Sequence, residues 1–88
     1  MADETETYTL SRPITDKKGN ELAEVALREP LVRDYIAADK FVGQTAYTAA
    51  LIASVTGVDL ETIQNLRVQD LNGIDVALSK LMGNDDGA

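Results

Sequence analysis

The 88-residue chain contains no cysteine, no histidine and no tryptophan, and these absences exclude several kinds of chemistry. Without cysteine, a protein has no disulfide, no thiolate nucleophile and no zinc–thiolate or iron–sulfur site. Without histidine, it lacks the commonest proton shuttle near neutral pH and the commonest transition-metal ligand. Hydrolases built on a Ser-His or Cys-His pair are therefore excluded, and we expect no enzyme, no metal and no cofactor.

Basic residues are also scarce, since 8 Lys and Arg stand against 15 Asp and Glu, for a formal net charge of −7. Duplex nucleic acid is bound mainly by basic side chains that neutralise phosphates. We therefore expect no nucleic-acid partner, and no motif points to a small-molecule substrate. The acidic segment 1–7 is unlike the basic start of a secretory signal, which favours a cytoplasmic protein.

Residues 41–58 form the longest run without a charged side chain. The run includes two glycines, a glutamine and several hydroxyl residues. A membrane-spanning helix needs a predominantly apolar stretch of about 20 residues, so the run does not qualify. It predicts a buried helix and no contact with a membrane.

The N-terminal part predicts a β-hairpin. Tyr8, Leu10 and Ile14 alternate with polar residues, which is the period of a strand with one buried face. Pro13 cannot donate a ladder hydrogen bond, so the strand is an edge strand or is interrupted there. The segment 16–20 concentrates residues that favour a turn.

The return strand is predicted over 21–28. Ala23, Val25 and Leu27 point to one face, whereas Leu22 is out of phase with them. A bulge near Leu22 reconciles the pattern.

A first helix is predicted to begin at Pro30 and to end between Lys40 and Gly43. Its apolar stripe consists of Leu31, Val32, Tyr35 and Ile36. Arg33, Asp34 and Asp39 lie largely away from that stripe.

Three further segments have helical character. Thr45–Val55 is apolar on nearly every side and therefore needs burial all round. Asp59 is a predicted N-cap for a short helix, and Asp70 for a last helix over about Leu71–Met82. Gly73 within that helix is expected to cost about 1 kcal/mol relative to alanine.

Together these elements predict an α+β fold, with an N-terminal β-hairpin followed by three to four short helices. Length limits the chain to one domain, which we assign to residues 8–82. The acidic ends, 1–7 and 83–88, are expected to be disordered.

The carboxylates have structural interpretations that outweigh catalytic or metal-binding ones. Asp16, Asp59 and Asp70 occupy positions where a turn or a helix start favours an oxygen acceptor. The pair Asp85-Asp86 lacks the further oxygen ligands of a calcium loop.

The tripeptide Arg28-Glu29-Pro30 joins the second strand to the first helix. Arg28 is expected to pair with Asp34 or Asp70, while Glu29 and Arg33 have the spacing of a helical ion pair. An alternative role for Arg28 is to anchor an anion.

The apolar helix over 45–55 has few neighbours in so small a domain. It is either ordinary core or leaves part of its face for another polypeptide. For the second case, the candidate partner-binding residues are Tyr35, Tyr47, Leu51 and Ile52.

Several short motifs follow one another in a fixed order: LxRPI at 10–14, LREP at 27–30 and LIAxxTG at 51–57. Their order and spacing over residues 8–81 resemble phage tail assembly chaperones of Mu-like contractile-tailed phages and related prophages. Arg28, Glu29 and Pro30 carry over as a structural signature of that family, not as a binding site. Asn72-Gly73 departs from the family pattern.

The resemblance implies a transient assembly factor that acts through non-covalent protein contacts. Such a factor coats the tape-measure protein until tail-tube subunits polymerise around it, and is absent from the finished virion. Self-association along the client, giving a homo-oligomer, suits this role. The alternative is a small structural virion component or an acidic regulatory decoy for another protein.

Overall fold

The computed structural model describes residues 5–83 and has the predicted α+β architecture. Within these residues a two-stranded antiparallel hairpin precedes four helices. The elements are β1 (Thr5–Thr15), β2 (Glu21–Arg28), α1 (Val32–Asp39), α2 (Gln44–Thr56), α3 (Leu60–Ile63) and α4 (Val68–Leu81). Residues 5–7, assigned above to a disordered end, belong to β1. The remainder of both predicted disordered ends, apart from Gly83, lies outside the described residues.

The hairpin carries an irregularity in β1, where Pro13 predicted an interruption, and the extra residues lie in that strand rather than in the predicted bulge near Leu22. Thr9 pairs with Glu24 and Ile14 with Leu22, so β1 advances five residues while β2 advances two. The three extra residues lie in β1, around the Arg12-Pro13 step that cannot form a regular ladder. The irregularity keeps both Leu10 and Ile14 buried.

The turn of the hairpin is closed as its composition predicts. The Asp16 carboxylate accepts hydrogen bonds from the backbone N–H groups of Lys18 and Asn20, each at 2.9 Å. Gly19 adopts φ +87°, a conformation that glycine takes without strain. The turn is therefore closed by local hydrogen bonds.

The core lies between one face of the hairpin and the helices. Helix α2 contacts α1, α3, α4 and β2, which makes it the central element. It begins and ends within one residue of the prediction, and its C-cap Gly57 is left-handed. Its burial is incomplete, however, because Ala46 is exposed at the N-terminal end.

Helix α1 differs most from the prediction. It begins at Val32, two residues after Pro30, and its buried residues are Asp34 and Ala38. Val32 and Ile36, from the predicted core stripe, are 75% and 68% exposed. The helix is thus rotated so that the Asp34 carboxylate faces the interior.

Helix α4 begins at Val68 with Arg67 as its N-cap, three residues before the predicted start. Asp70 lies in its first turn and is buried, so the predicted N-cap role of Asp70 is wrong. The predicted N-cap of α3 is confirmed, since Asp59 accepts a hydrogen bond from the Thr62 N–H. Among residues 5–83, no helix has both the length and the apolar character needed to cross a bilayer.

Candidate functional site

An ion pair between the half-buried Arg28 and the buried Asp34 fixes α1 against the rest of the fold. Arg28, the last residue of β2, donates two hydrogen bonds of 2.8 Å to the two carboxylate oxygens of Asp34. Asp34 also accepts hydrogen bonds from the Leu31 N–H at 2.7 Å and from the Ser54 hydroxyl. The bidentate geometry is the strong form of this interaction, and it joins β2, α1 and α2 at one point.

Because its donors are arranged around it, Asp34 is ionised although it is 0% exposed. The Arg28 guanidinium lowers the pKa of Asp34 well below its usual range, with help from the Leu31 N–H and the Ser54 hydroxyl, against burial, which raises it. Asp34 in turn raises the pKa of Arg28. The sequence named Asp34 as a partner of Arg28, and that pairing is confirmed. Asp34 lies away from the predicted apolar stripe, and the pair draws its carboxylate inward, so that stripe is not the buried face of α1.

A second buried carboxylate fixes α4 to β1. Asp70 accepts hydrogen bonds from the Ser11 N–H at 3.0 Å, from the Ser11 hydroxyl at 2.9 Å and from the Tyr8 hydroxyl at 3.4 Å. The Ser11 N–H lies in the irregular part of β1, so Asp70 satisfies a donor that the strand ladder leaves free. A Cβ on Gly73 would collide with the Tyr8 hydroxyl oxygen, so the absence of a side chain at Gly73 makes room for this contact.

The four candidate partner-binding residues do not form one exposed surface. Leu51 and Ile52 are buried in the core, which prevents direct contact with a partner in this fold. Tyr35 and Tyr47 are half-buried, and both pack against a small apolar cluster formed by Ala38, Ala50 and Leu51. The Tyr35 hydroxyl donates to the Met82 sulfur, so Tyr35 also bridges α1 to the end of α4.

The tripeptide at the β2–α1 junction has an architectural role. Arg28 holds Asp34, and both Glu29 and Pro30 precede the helix rather than forming part of it. The ion pairs of the described residues are Arg28–Asp34 and Lys17–Glu61, so the predicted Glu29–Arg33 pair does not form there. Glu29 is not helical, and the favourable helical spacing therefore does not apply.

An open groove of about 370 Å³ lies between α2, α3 and the start of α4. We call it the α2–α4 groove. Every residue that lines it is uncharged, and the apolar members are Phe41, Ala46, Leu60, Leu66, Val68 and Leu71 with two buried residues beneath them. This groove was not predictable from the sequence, because its walls come from four separate segments. In the sequence, only the apolar character of Leu60, Leu66 and Leu71 indicated that an apolar surface would form there.

Charged residues of both signs border the groove: Lys40 and Arg67 are basic, and the exposed Glu61 follows the lining residue Leu60. The Lys40 ammonium lies 5.9 Å from the centre of the Phe41 ring, at the groove wall. Arg67 is exposed and stands between the lining residues Leu66 and Val68. Helix α2 starts at the groove with no side-chain cap and no acidic residue in its first turn, which leaves its positive dipole end available.

A second apolar surface lies on α1. It consists of Leu31, Val32 and Ile36, all exposed, and we call it the α1 ridge. The ridge exists because Asp34 and Ala38 occupy the interior side of the helix. Exposed aliphatic residues that cluster on one helical turn are typical of surfaces that contact other polypeptides.

Within residues 5–83, no three Asp, Glu, His or Cys side chains are grouped as metal ligands. Buried polar side-chain atoms of the described residues all have hydrogen-bond partners. The groove and the ridge therefore offer hydrophobic contact and peripheral charge, which is the chemistry of protein recognition.

Comparison with known proteins agrees with this interpretation. A search of curated proteins and a search of solved structures found no match. The family model for phage tail assembly chaperone proteins E, 41 or 14 matches residues 7–83, which is most of the chain. The resemblance drawn from the sequence motifs is thereby confirmed, and the chain belongs to this family of phage tail assembly chaperones.

Proposed function

We propose that this protein binds the tape-measure protein of its phage transiently, through non-covalent contacts, and so assists polymerisation of the tail tube. The family membership indicates a role in tail assembly with protein partners. The observation that carries the proposal is the α2–α4 groove, an uncharged apolar site open to solvent. An amphipathic helix that lays its apolar face into such a groove is a recurring mode of peptide recognition.

The acidic remainder of the surface fits the same role. A net charge of −7 on a small domain favours solubility while an apolar groove is exposed. A small groove makes each contact weak, and many weak contacts along a long client give avidity yet allow release. Release as the tube forms would leave the protein in the host cytoplasm and absent from the mature virion.

Among the residues singled out from the sequence, Tyr35 and Tyr47 are retained as proposed partner contacts because both keep an exposed part. Leu51 and Ile52 contribute indirectly, since they hold α2, one wall of the groove, in place. No catalytic residue is assigned, and we propose a binding role rather than an enzymatic one.

Coexpression with the tape-measure protein encoded by the same genome tests the proposal. We expect the two proteins to copurify, and we expect mass spectrometry of finished particles to detect the tape-measure protein without this chain. Failure to copurify would contradict client binding. Stoichiometric presence in finished particles would instead support a structural virion component.

A further inference from the structure

We infer that helix α1 is a displaceable cover, and that its release exposes a second binding face on α2 for a carboxylate-bearing helix of another polypeptide. This surface, which we call the covered face, consists of Tyr47, Ala50, Leu51 and Ser54. Its members recur at intervals of three and four along α2 and therefore lie on one side of that helix. That the other polypeptide is the tape-measure protein rests on the proposed function, whereas the covered face itself does not.

In the folded protein, α1 occupies the covered face. Ala38 of α1 belongs to one apolar cluster with Ala50 and Leu51 of α2. The Ser54 hydroxyl donates a hydrogen bond to Asp34. The structure thus shows which kind of element the face accepts, namely a helix that presents a carboxylate and, four positions later, a small residue.

Apolar packing holds α1 only weakly. Among its eight residues, Asp34 and Ala38 are buried, and Tyr35 adds one half-buried ring. Val32 and Ile36 are 75% and 68% exposed, so they contribute little apolar burial. A helix of eight residues is too short to be stable alone in water. The polar contacts of Asp34 therefore hold α1 in place, and weakening them is expected to release it.

The connections on both sides of α1 allow it to leave without moving β2 or α2. Residues 29–43 join the two elements, and an unwound segment of that length reaches about 50 Å. Within this segment Glu29 is exposed and Val42 is 93% exposed, so neither end of α1 is anchored by them. The release of α1 is therefore a local opening rather than an unfolding of the whole domain.

The polar end of the covered face is already formed on β2 and α2. Besides its bonds to Asp34, the Arg28 guanidinium donates a hydrogen bond of 3.2 Å to the backbone carbonyl of Ser54. This contact does not involve α1, so Arg28 and the Ser54 hydroxyl stay side by side when Asp34 leaves. A guanidinium and a hydroxyl donor placed together favour a carboxylate. We therefore expect the partner helix to carry Asp or Glu about one turn before a small residue.

Release of α1 also joins the covered face to the α2–α4 groove. Phe41 and Leu60 line the groove and also pack against the apolar cluster beneath α1. The groove alone, of about 370 Å³, suits only a few side chains. The joined surface runs along α2 as far as Ser54 and therefore suits a client helix of several turns.

Amide hydrogen exchange of the purified full chain tests the release of α1 without any partner. The Ala38 amide is expected to have a protection factor at least about tenfold lower than that of the Ile52 amide in α2, because α1 opens while the core stays folded. Asp34→Asn is expected to widen this difference. Ser54→Ala, which keeps the ion pair, is a milder change and is expected to act in the same direction.

Ser11→Ala is the matched control for Ser54→Ala. Ser11 also donates a hydroxyl hydrogen bond to a buried carboxylate, that of Asp70, but it lies outside α1 and α2. Ser11→Ala is therefore expected to leave the difference between the Ala38 and Ile52 amides unchanged. Equal protection of these two amides in the wild type would overturn the inference.

A synthetic peptide with the sequence of residues 29–43 is the probe for the covered face, because it contains the helix that the face already holds. By fluorescence anisotropy, the full chain with Asp34→Asn is expected to bind this peptide at least about tenfold more tightly than the wild type, since its own α1 competes less. Arg28→Gln also releases α1 but removes the group that receives the carboxylate, so no such gain is expected. A peptide that binds no chain up to about 1 mM, or binds every chain equally, would overturn the inference.

Titration with the tape-measure protein separates this inference from the proposed function. Asp34→Asn and Ser54→Ala are expected to bind it more tightly than the wild type, and Ser11→Ala to bind it like the wild type. If the exchange and peptide results hold but no chain binds the tape-measure protein, the proposed function fails alone. If the tape-measure protein binds all these chains with one affinity, the inference fails alone.

Discussion

At the scale of single residues, two buried carboxylates determine how the helices are placed. Asp34 links β2, α1 and α2, and Asp70 links α4 to the irregular part of β1. Each makes several hydrogen bonds, and a buried carboxylate without such partners would be strongly destabilising. The position of each helix is therefore specified by polar contacts as well as by apolar packing.

The first prediction concerns the pH dependence of stability. Because the pKa of Asp34 is lower in the folded protein than in the unfolded chain, its contribution is present above about pH 4 and is lost as pH falls further. Asp16 and Asp59, whose pKa values are also lowered by hydrogen bonds, act in the same direction. The free energy of unfolding of the wild type should fall between about pH 4 and pH 2.

Asp34→Asn isolates the contribution of Asp34. It should destabilise the protein at pH 7 by about 3 kcal/mol, the scale for breaking a buried pair, and should flatten the decline in acid. Urea unfolding at a series of pH values measures both quantities. The same decline in the variant as in the wild type would show that Asp34 is not the group responsible.

The second prediction is a change of sign at Gly73. In the wild type, Gly73→Ala pushes the new methyl group into the Tyr8 ring and should cost about 1 kcal/mol net, although alanine is the better helix former. In a Tyr8→Ala background the same change should stabilise by about 0.5 to 1 kcal/mol, because the obstacle is gone. Thermal unfolding of the four proteins gives the comparison, and equal effects in both backgrounds would contradict the proposed fit.

The distance along the chain between each carboxylate and its partners explains which of their roles could be predicted from the sequence. Asp16 and Asp59 were assigned correctly because their partners lie within four positions along the chain. Asp70 was misassigned because its partner Ser11 is 59 positions away, and no local pattern encodes that contact. The sequence offered Asp34 and Asp70 as alternatives for Arg28, and only the folded chain distinguishes them.

At the scale of elements, the hairpin and the helices follow from hydrophobic period and turn residues, whereas the orientation of α1 does not. The apolar stripe of α1 has the correct helical spacing, so the helix itself was predictable. Which side faces the core depends on the Arg28–Asp34 pair, which overrides the apolar stripe. The resulting exposed ridge is the main departure of this fold from its sequence pattern.

The third prediction tests that orientation. Val32→Ser combined with Ile36→Ser should change the free energy of unfolding by less than about 1 kcal/mol, because both side chains are already in solvent. Ile52→Ala, in the core of α2, should cost about 2 to 5 kcal/mol. Chemical denaturation of the two variants measures the contrast. If the serine variant lost as much free energy of unfolding as Ile52→Ala, the ridge would lie in the interior.

At the scale of the whole molecule, the groove arises only when α2, α3, the start of α4 and the segment around Phe41 come together. Sequence motifs were sufficient to indicate the family, which the match over residues 7–83 confirms. They could not indicate the groove, because its walls come from segments that are separate in sequence. The folded shape therefore adds the proposed binding surface to a family assignment that the sequence already supported.

The most direct test of the central claim is the affinity of the tape-measure protein for groove and control variants, measured by titration with folding verified by circular dichroism. Our account predicts that Val68→Asp weakens binding at least about tenfold, equivalent to about 1.4 kcal/mol, while Val76→Asp binds like the wild type. Equal affinity of Val68→Asp and Val76→Asp for the tape-measure protein would contradict the assignment of the groove as the client site.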